Sequence, residues 1–194
     1  MSRPASDTPR HIVVMGVSGT GKSTIAEAIA AQLPGILVEG DSFHPQANID
    51  KMAAGEPLDD VDRKPWLQAL AREIDRLDAE GHTGVIACSA LRRLYRDWLR
   101  EGVSALFFVH LDTAYDVLAE RMQDRTGHFM PASLLQSQLA TLEPLQEDEL
   151  GTVVDVRHSP QDVVHESLAA LAQAGMQPRR TAAPDGDPGP DWQP

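Results

Sequence analysis

The sequence predicts an α/β fold in which a five-stranded parallel sheet carries helices on both faces. Short apolar runs alternate with longer amphipathic runs along most of the chain, which is typical of repeated strand–helix units. A glycine-rich turn separates the first apolar run from the first amphipathic run. The chain has 194 residues, of which 42% are hydrophobic, and this is enough apolar material for one packed domain.

Five short apolar runs are predicted to be the strands. They cover residues 12–15, 36–39, 85–88, 106–111 and 152–156. Because these runs alternate with helical segments, the strands are expected to lie parallel in a sheet that is covered on both faces.

The segments between and after the strands are predicted to be helices. They cover residues 20–33, 46–54, 66–80, 90–101, 113–123, 131–141 and 160–174. Leu33-Pro34-Gly35 stops the first helix, and Thr113 is predicted to cap the fifth. The stretch "LDDVDRKPW" before the third helix is predicted to be a loop. The apolar positions that recur at helical spacing in that third helix are Leu67, Leu70, Ile74 and Leu77.

The two ends of the chain differ from its middle. Residues 1–10 are predicted to be a disordered arm, and residues 11–175 the folded domain. From Met176 onward, 19 residues contain five prolines and two glycines. Such a segment has little apolar surface to bury, so residues 176–194 are predicted to be a disordered tail.

The composition limits which partners the protein is expected to bind and which cellular compartment it is expected to occupy. A net charge of -12 argues against general binding to nucleic acid or to anionic membranes. No stretch approaches the roughly 20 apolar residues of a membrane span. The single cysteine, Cys88, allows no disulfide within the chain, which fits a reducing cytoplasm.

The glycine-rich turn matches G-x-x-x-x-G-K-[ST], the pattern of a phosphate-binding loop between a strand and a helix. Its glycines let successive backbone N–H groups point inward at an anion, and the helix N-terminus adds partial positive charge. Lys22 is expected to reach the outer phosphates of ATP, and the Ser23 hydroxyl to bind Mg²⁺. The alternative is a glycine-rich turn without a ligand. The predicted nucleotide-binding residues of this turn are Gly16, Val17, Ser18, Gly19, Thr20, Gly21, Lys22, Ser23 and Thr24.

A phosphate-binding loop also occurs in GTPase switches and motors, and the sequence favours neither. The guanine-recognising N-K-x-D pattern is absent. D-x-x-G occurs at Asp78, Asp124 and Asp148, but none of these directly follows an apolar strand. A motor usually has a longer chain with a partner-contacting region. A small-molecule kinase remains, and it requires an acceptor site, a group that orients the acceptor hydroxyl, and a basic lid.

Candidate acceptor residues follow the second strand. Asp41 and His44 lie in "VEGDSFHP", and ligands bind at the carboxyl ends of strands in open parallel sheets. Asp41 is predicted to accept or align the proton of the acceptor hydroxyl. The alternative for Asp41 is a turn cap, and for His44 ordinary turn chemistry before a proline.

Further candidates come from two later segments. Arg63 and Lys64 suit an anionic acceptor, unless they form a solvated and self-paired charge run. Ser89 and Arg92 follow the third strand and are predicted to lie at the same edge of the sheet. Cys88 is expected to be a small packed residue rather than a nucleophile.

A lid is predicted in "ERMQDRTGHFMP". Arg121 and Arg125 lie four residues apart, so they share a face if the helix continues that far. Arginines placed over a transferring phosphoryl group offset its charge, which predicts catalysis for Arg125 and nucleotide binding for Arg121. The alternative is a pair of surface arginines on an acidic protein.

Together "GVSGTGKS", "EGDSFHPQANIDKMAAGEPLDDVDRKPWL", "CSALRRLYRDWLR" and "RTGHFMP" resemble the gluconokinases of the thermoresistant type, over about residues 11–172. The resemblance implies a P-loop kinase fold, transfer of phosphate from ATP to the 6-hydroxyl of D-gluconate, a Mg²⁺ requirement and a homodimer. Similar kinases often have Asp-x-Asp after strand two, whereas this chain has Glu39-Gly40-Asp41. A kinase for another small anion, such as shikimate or a nucleotide, and a nucleotide-binding regulator without catalysis stay open.

Overall fold

The computed structural model describes residues 8–103, 105–118 and 132–176. Residues 1–7 of the predicted arm and the tail beyond Met176 lie outside this part. All neighbouring strands of the sheet pair in parallel, in the order β2-β3-β1-β4-β5. The predicted five-stranded parallel sheet is therefore confirmed. Its strands are β1 (His11–Met15), β2 (Ile36–Glu39), β3 (Gly84–Ala87), β4 (Leu106–Asp112) and β5 (Gly151–Asp155).

The helices agree with the predicted segments at most of their ends. A 3₁₀ turn, Gly40–Phe43, follows β2, and a short helical stretch is described at residues 115–118. The α-helices that the structure describes are α1 (Lys22–Gln32), α2 (Gln46–Ala53), α3 (Asp60–Ala79), α4 (Arg93–Leu99), α5 (Ala132–Thr141) and α6 (Pro160–Gln173).

Helix α3 begins six residues before the predicted start, so the prediction of a loop over "LDDVDRKPW" is wrong. Asp59 and Asp62 form a capping box, in which each side chain accepts a hydrogen bond from the other residue's backbone N–H, at 2.9 Å in both directions. This reciprocal cap fixes the first turn. Pro65 lies inside the helix, although proline usually ends one, and this is why the sequence pattern placed the start at Trp66.

Two other helix starts also differ from the prediction. Ala90 has a φ of +42°, in the left-handed region, so α4 cannot begin there and starts at Arg93. In the fifth predicted helix the first main-chain bond runs from Leu118 N to Ala114 O. Ala114 therefore occupies the cap position, and the prediction of Thr113 as the cap is wrong.

The two faces of the sheet pack on different helices. In β1, Ile12 and Val14 belong to the core formed with α1 and α6, whereas Val13 and Met15 belong to the core formed with α3 and α4. Within the described part of the chain, none of the helices combines the length and apolar composition needed to cross a bilayer.

The neighbouring strands β2, β3 and β1 end side by side. Glu39 pairs with Ala87, and Ala87 pairs with Val14, so the segments after these strands emerge at one edge of the sheet. This edge carries the glycine-rich loop (residues 16–23), the 3₁₀ turn after β2 and the turn after β3.

Candidate active site

The glycine-rich loop begins at a position that has no room for a side chain. Gly16 has a φ of +142°, and a Cβ there would lie 2.5 Å from the Leu111 carbonyl oxygen of β4. At the other end of the loop, Gly21 is at the N-cap of α1 with a φ of +90°, in the left-handed region. Both positions require glycine for backbone reasons. The loop therefore places the N-terminus of α1 at the edge of the sheet where the strands have their carboxyl ends.

Polar side chains of the loop are already held in place. The Lys22 Nζ donates a hydrogen bond to the Val17 carbonyl oxygen at 3.1 Å, and the buried Thr20 hydroxyl donates to the same oxygen at 3.0 Å. Lys22 thus folds back onto the backbone of the loop, and it also lines the cavity described below.

The predicted metal ligand, Ser23, has an oxygen partner on β2. Its hydroxyl donates to a Glu39 carboxylate oxygen at 3.0 Å. A hydroxyl and a carboxylate are both ligands that Mg²⁺ accepts. No group of three or more His, Cys, Asp or Glu side chains suited to a metal occurs in the described ranges. The donor set therefore fits an ion that keeps waters and binds phosphate oxygens as well.

A cavity of about 150 Å³, here called the central cavity, opens beside the loop. It brings together most of the predicted acceptor residues with the lysine of the loop. Residues from the loop, from the segments after β2 and β3, from α3 and from α5 form its walls. Those that bear on its chemistry are Ser18, Lys22, Asp41, His44, Arg63, Trp66, Ser89, Ser137 and Gln138.

Asp41 lies exposed in the 3₁₀ turn on the wall of this cavity. Its carboxylate forms no hydrogen bond with any part of the chain that the structure describes, so the alternative of a side-chain turn cap receives no support. The turn is held by backbone instead, since His44 N donates to Asp41 O at 3.3 Å. No described residue therefore competes with a ligand for this carboxylate.

His44 and Trp66 form one wall of the cavity. Their rings are stacked with centroids 3.9 Å apart, and the Trp66 indole N–H donates to Gly40 O at 2.7 Å. Burial lowers the pKa of His44, although the nearby Asp41 charge opposes the shift. The imidazole is therefore neutral at neutral pH, and it can both donate and accept a hydrogen bond.

Arg63 is a buried cation in this wall. It is 9% exposed, its Nε donates to Leu58 O at 3.2 Å, and its guanidinium lies 5.4 Å from the centroid of the Tyr95 ring. No carboxylate of the described residues lies within ion-pairing distance of it. A buried cation without a carboxylate partner is costly unless a ligand supplies the negative charge.

Arg92, also predicted to bind the acceptor, lies in a different environment. It pairs with Asp60 at 2.6 Å and with Glu143 at 3.2 Å. It lines a neighbouring cleft with Tyr95 and Glu143, rather than the central cavity. The other basic candidate of this region, Lys64, lies over the Trp98 ring at 5.6 Å.

Ser89 reaches the cavity from a constrained turn. Its carbonyl oxygen accepts a hydrogen bond from Gly16 N at 3.3 Å, which ties the turn after β3 to the glycine-rich loop. The buried Arg96 donates to the carbonyl oxygens of Ala90 and Leu91, at 3.2 and 3.4 Å. Cys88, just before this turn, is buried, and burial raises the pKa of its thiol to about 12. It is a packed residue, as predicted.

The other side of Arg96 is neutralised by a buried carboxylate. Glu149 lies 2.7 Å from Arg96 and 2.5 Å from Arg100. Burial alone would raise the pKa of Glu149, but hydrogen bonds from Arg96, from the Gln146 backbone and from Arg100 outweigh it and hold the pKa at about 2. This network fixes the turn after β3 against the segment that follows α5.

A second cavity lies on the opposite side of the start of α1. It has a volume of about 290 Å³ and lies next to the glycine-rich loop. It is lined by Thr20, Gly21, Thr24, Ile25, Val156, His158, Pro160 and Val163.

Three residues of this site were not predicted from the sequence: Glu39 as a partner of Ser23, Trp66 as a cavity wall, and Gln138. The Gln138 carboxamide oxygen accepts a hydrogen bond from Ser18 N at 2.7 Å. A lone glutamine on a helix carries no sequence signal, because its role depends on how α5 packs. Arg121, Arg125 and the predicted lid segment lie outside the described residues.

Known proteins match this chain over most of its length. A family model described as "AAA domain" matches residues 12–145. A gluconokinase of Gluconobacter oxydans (strain 621H) is 50% identical over 166 residues, which cover 86% of this chain and 93% of the relative. The thermoresistant gluconokinase of Escherichia coli (strain K12) is 44% identical over 163 residues, which cover 83% of this chain and 93% of the relative.

Solved structures with the same fold match the chain as well. A sugar kinase from Janibacter sp. HTCC2649 superposes with a TM-score of 0.82 at 51% identity, covering 84% of this chain and 95% of the other. A gluconokinase from Sinorhizobium meliloti 1021 gives a TM-score of 0.78 at 49% identity, covering 86% and 93%. A shikimate kinase from Aquifex aeolicus, at 14% identity and a TM-score of 0.58, shares the fold alone.

The parallel sheet, the glycine-rich loop and the cavity opposite its lysine define a P-loop kinase, and such a kinase uses ATP. The sequence identity to the relatives, and the share of each chain that is covered, then show to which family of kinases the chain belongs. The chain belongs to the gluconokinase family, which confirms the resemblance seen in its motifs.

Proposed function

We propose that this protein transfers the γ-phosphoryl group of ATP to the 6-hydroxyl of D-gluconate, giving 6-phospho-D-gluconate and ADP. The observation that carries the proposal is the composition of the central cavity. One space places Lys22 of the glycine-rich loop beside Asp41 and the buried cation of Arg63. Phosphate donor, hydroxyl acceptor and substrate carboxylate each have a matching group there.

The donor side is formed by the glycine-rich loop. Its backbone N–H groups and Lys22 bind the β- and γ-phosphates of ATP, and they stabilise the charge that develops on the transferring group. Ser23 and Glu39 would hold Mg²⁺, which when bound neutralises phosphate charge. The second cavity, with His158 on its wall, takes the nucleoside.

The transfer step is a substitution at phosphorus. The 6-hydroxyl oxygen forms a bond to the γ-phosphorus while the bond from that phosphorus to the bridging oxygen of ADP breaks. The hydroxyl proton passes to the Asp41 carboxylate, which has no competing hydrogen bond from the described chain. Most of the rate enhancement comes from alignment and charge stabilisation, since no covalent enzyme intermediate forms.

The substrate carboxylate binds Arg63. This residue is buried and forms no ion pair with the described residues, whereas Arg92 already contacts two carboxylates. A guanidinium can bind a carboxylate through two parallel hydrogen bonds. His44 and Ser89 line the same cavity and supply hydrogen bonds to the polyol.

The remaining features of the proposal rest on the sequence. Arg121 binds nucleotide and Arg125 stabilises the phosphoryl group, from a lid that closes over the site.

Residues 11–175 form the kinase domain, which acts as a homodimer in the cytoplasm. Light scattering measures the oligomeric state directly.

The test is a coupled ADP-release assay with gluconate, shikimate and nucleoside monophosphates as acceptors, with 6-phosphogluconate identified as the product. We expect turnover with gluconate only. Preferred turnover with shikimate or a nucleotide would replace the acceptor assignment, and nucleotide binding without turnover on any acceptor would indicate a regulator.

A further inference from the structure

The ring of Tyr95 lies under the guanidinium of Arg63. Tyr95 belongs to α4 and Arg63 to α3, and the guanidinium carbon is 5.4 Å from the ring centroid. Tyr95 is 2% exposed and Arg63 is 9% exposed, so water screens this contact little. A cation over an aromatic face is attracted to it, most strongly where both groups are desolvated. The ring therefore stabilises the position of the guanidinium without neutralising its charge.

Asp60 is the carboxylate with which Arg63 would be expected to pair. It lies three residues earlier, in the first turn of α3, and side chains of opposite charge commonly meet at this spacing. Instead, its carboxylate accepts a hydrogen bond from the Tyr95 hydroxyl at 2.5 Å and two from the Arg92 guanidinium, at 2.9 and 2.6 Å. The bond from Tyr95 is the largest of the effects that lower the pKa of Asp60. The carboxylate is thus charged but directed toward Arg92.

Tyr95 is itself held in place on several sides. Its ring is stacked with that of Trp98, with centroids 5.6 Å apart, and it packs in the apolar core that the sheet forms with α3 and α4. Burial and the bond to Asp60 raise the pKa of its hydroxyl to about 12, so the hydroxyl keeps its proton at neutral pH and remains a donor. One fixed side chain therefore acts on two residues of α3, through its ring and through its hydroxyl.

This arrangement decides which charge lies at the central cavity. Arg63 lines that cavity, whereas Tyr95 and Asp60 line the neighbouring cleft together with Arg92. If Asp60 turned to Arg63, the carboxylate of an acceptor would have to displace it before binding. An aromatic ring does not compete in this way, because it accepts no conventional hydrogen bond from the guanidinium N–H groups. The buried positive charge is thereby kept for an anionic ligand.

We propose that Tyr95 is a positioning residue for the acceptor. Its ring holds the Arg63 guanidinium at the wall of the central cavity, and its hydroxyl, together with Arg92, holds Asp60 away from that guanidinium. Tyr95 acts through Arg63, which in the proposed function binds the substrate carboxylate, and does not touch the substrate itself. The inference rests on the proposed function and deepens it, because it names the group that keeps a buried arginine ready for an anionic polyol.

The experiment measures KM and kcat for gluconate, Kd for ATP, and Tm in variants of position 95. Tyr95→Leu removes the ring and the hydroxyl, and we expect KM for gluconate to rise about tenfold, the order of a desolvated cation–π contact. Its kcat and ATP Kd should stay close to wild type, because the glycine-rich loop is unchanged. Tyr95→Phe keeps the ring, and the two bonds from Arg92 still hold Asp60, so its KM should stay close to wild type.

Two further variants separate positioning from folding. Pentafluorophenylalanine at position 95 keeps the shape of the ring but reverses its electrostatic polarity, so KM should rise as in Tyr95→Leu while Tm stays near that of Tyr95→Phe. Phe108→Leu is the matched control, since Phe108 is a fully buried ring under the Arg100 guanidinium, at 4.8 Å, outside the walls of the central cavity. It should lower Tm and leave KM for gluconate unchanged.

The double variant that combines Tyr95→Leu with Arg63→Ala tests whether Tyr95 acts through Arg63. If it does, loss of the ring adds nothing to the KM of Arg63→Ala. A further rise in the double variant, an unchanged KM in Tyr95→Leu and in the fluorinated variant, or an equal rise in Tyr95→Phe would each overturn the inference.

Failure of the proposed function shows where Tyr95 is intact. An unchanged KM in Arg63→Ala removes the carboxylate role from Arg63, and an absence of wild-type turnover with gluconate removes the acceptor itself. Either result overturns the inference as well. A raised KM in Arg63→Ala beside an unchanged KM in Tyr95→Leu overturns the inference alone.

Discussion

The guanidinium of Arg96 donates a hydrogen bond to the carbonyl oxygen of Ala90 at 3.2 Å, and Ala90 has a φ of +42°. A residue with a Cβ pays about 1–2 kcal/mol for this left-handed conformation. The hydrogen bonds from Arg96 to the carbonyl oxygens of Ala90 and Leu91 hold this turn, and the preceding residue, Ser89, lines the central cavity. A buried residue outside the cavity thus shapes the acceptor side.

Two variants test this relationship. Ala90→Gly should leave the free energy of unfolding within about 1 kcal/mol of wild type, because relief of strain offsets the greater flexibility of the unfolded chain. Arg96→Ala should lower it by about 3–5 kcal/mol, because Glu149 is left buried without its main partner. Urea unfolding gives both values. A larger loss for Ala90→Gly would mean that the alanine methyl, not the turn, is what the core requires.

Asp41 should be essential for the rate but not for nucleotide binding. Asp41→Asn keeps the size and some hydrogen bonding of the side chain but removes the charge and the proton acceptor. We expect kcat to fall by about 10²–10⁴-fold, the range for an acid–base group, with ATP Kd and Tm nearly unchanged. Near-normal kcat would refute the role, and loss of ATP binding would assign Asp41 to the metal site.

Arg63 should recognise the carboxylate of the substrate. Arg63→Ala should raise KM for gluconate by about 10–100-fold, the scale of charge-assisted hydrogen bonds, and change ATP Kd little. Arg72→Ala is the matched control, since Arg72 is exposed on the same helix. The preference of wild type for gluconate over the uncharged polyol glucitol should shrink in Arg63→Ala. An unchanged preference would show that another cation binds the carboxylate.

Glu149 should contribute acid-sensitive stability. Its pKa is lowered from 4.5 to about 2 in the folded protein, so its stabilising effect is complete above about pH 4.5 and is lost as the pH falls toward 2. Glu149→Gln should be less stable than wild type at pH 7, and the difference should narrow across this window. Urea unfolding at several pH values measures it. A constant difference would mean that Glu149 titrates normally.

The sequence was sufficient for the sheet and the phosphate-binding loop, because short buried strands and a turn of fixed spacing leave local signals. It placed Asp41 near the loop, because parallel strands end together at one edge, and it singled out Arg63 only because a basic residue suits an anionic acceptor. It misplaced the start of α3. Proline usually interrupts a helix, but here the capping box formed by Asp59 and Asp62 starts the helix before Pro65.

The rest of the site depends on packing between distant segments. From the sequence alone, Arg63 and Arg92 are equally suitable ligands for an anionic acceptor. Only the fold gives Arg92 two carboxylate partners, while Arg63 has none among the described residues. Gln138 becomes significant only because α5 rests on the glycine-rich loop. The conformation of Ala90 likewise arises from bonds made by a side chain of the following helix.

Trp66 gives the protein an intrinsic optical reporter. Its indole is 1% exposed and stacked on His44 at the wall of the central cavity. A ligand that shifts the imidazole changes the surroundings of a buried fluorophore, and indole emission responds to such changes. The sequence contains two other tryptophans, Trp98 and Trp192, and replacing both with Phe isolates the signal of Trp66. Occupancy of the cavity can then be followed by fluorescence, without a label and without turnover.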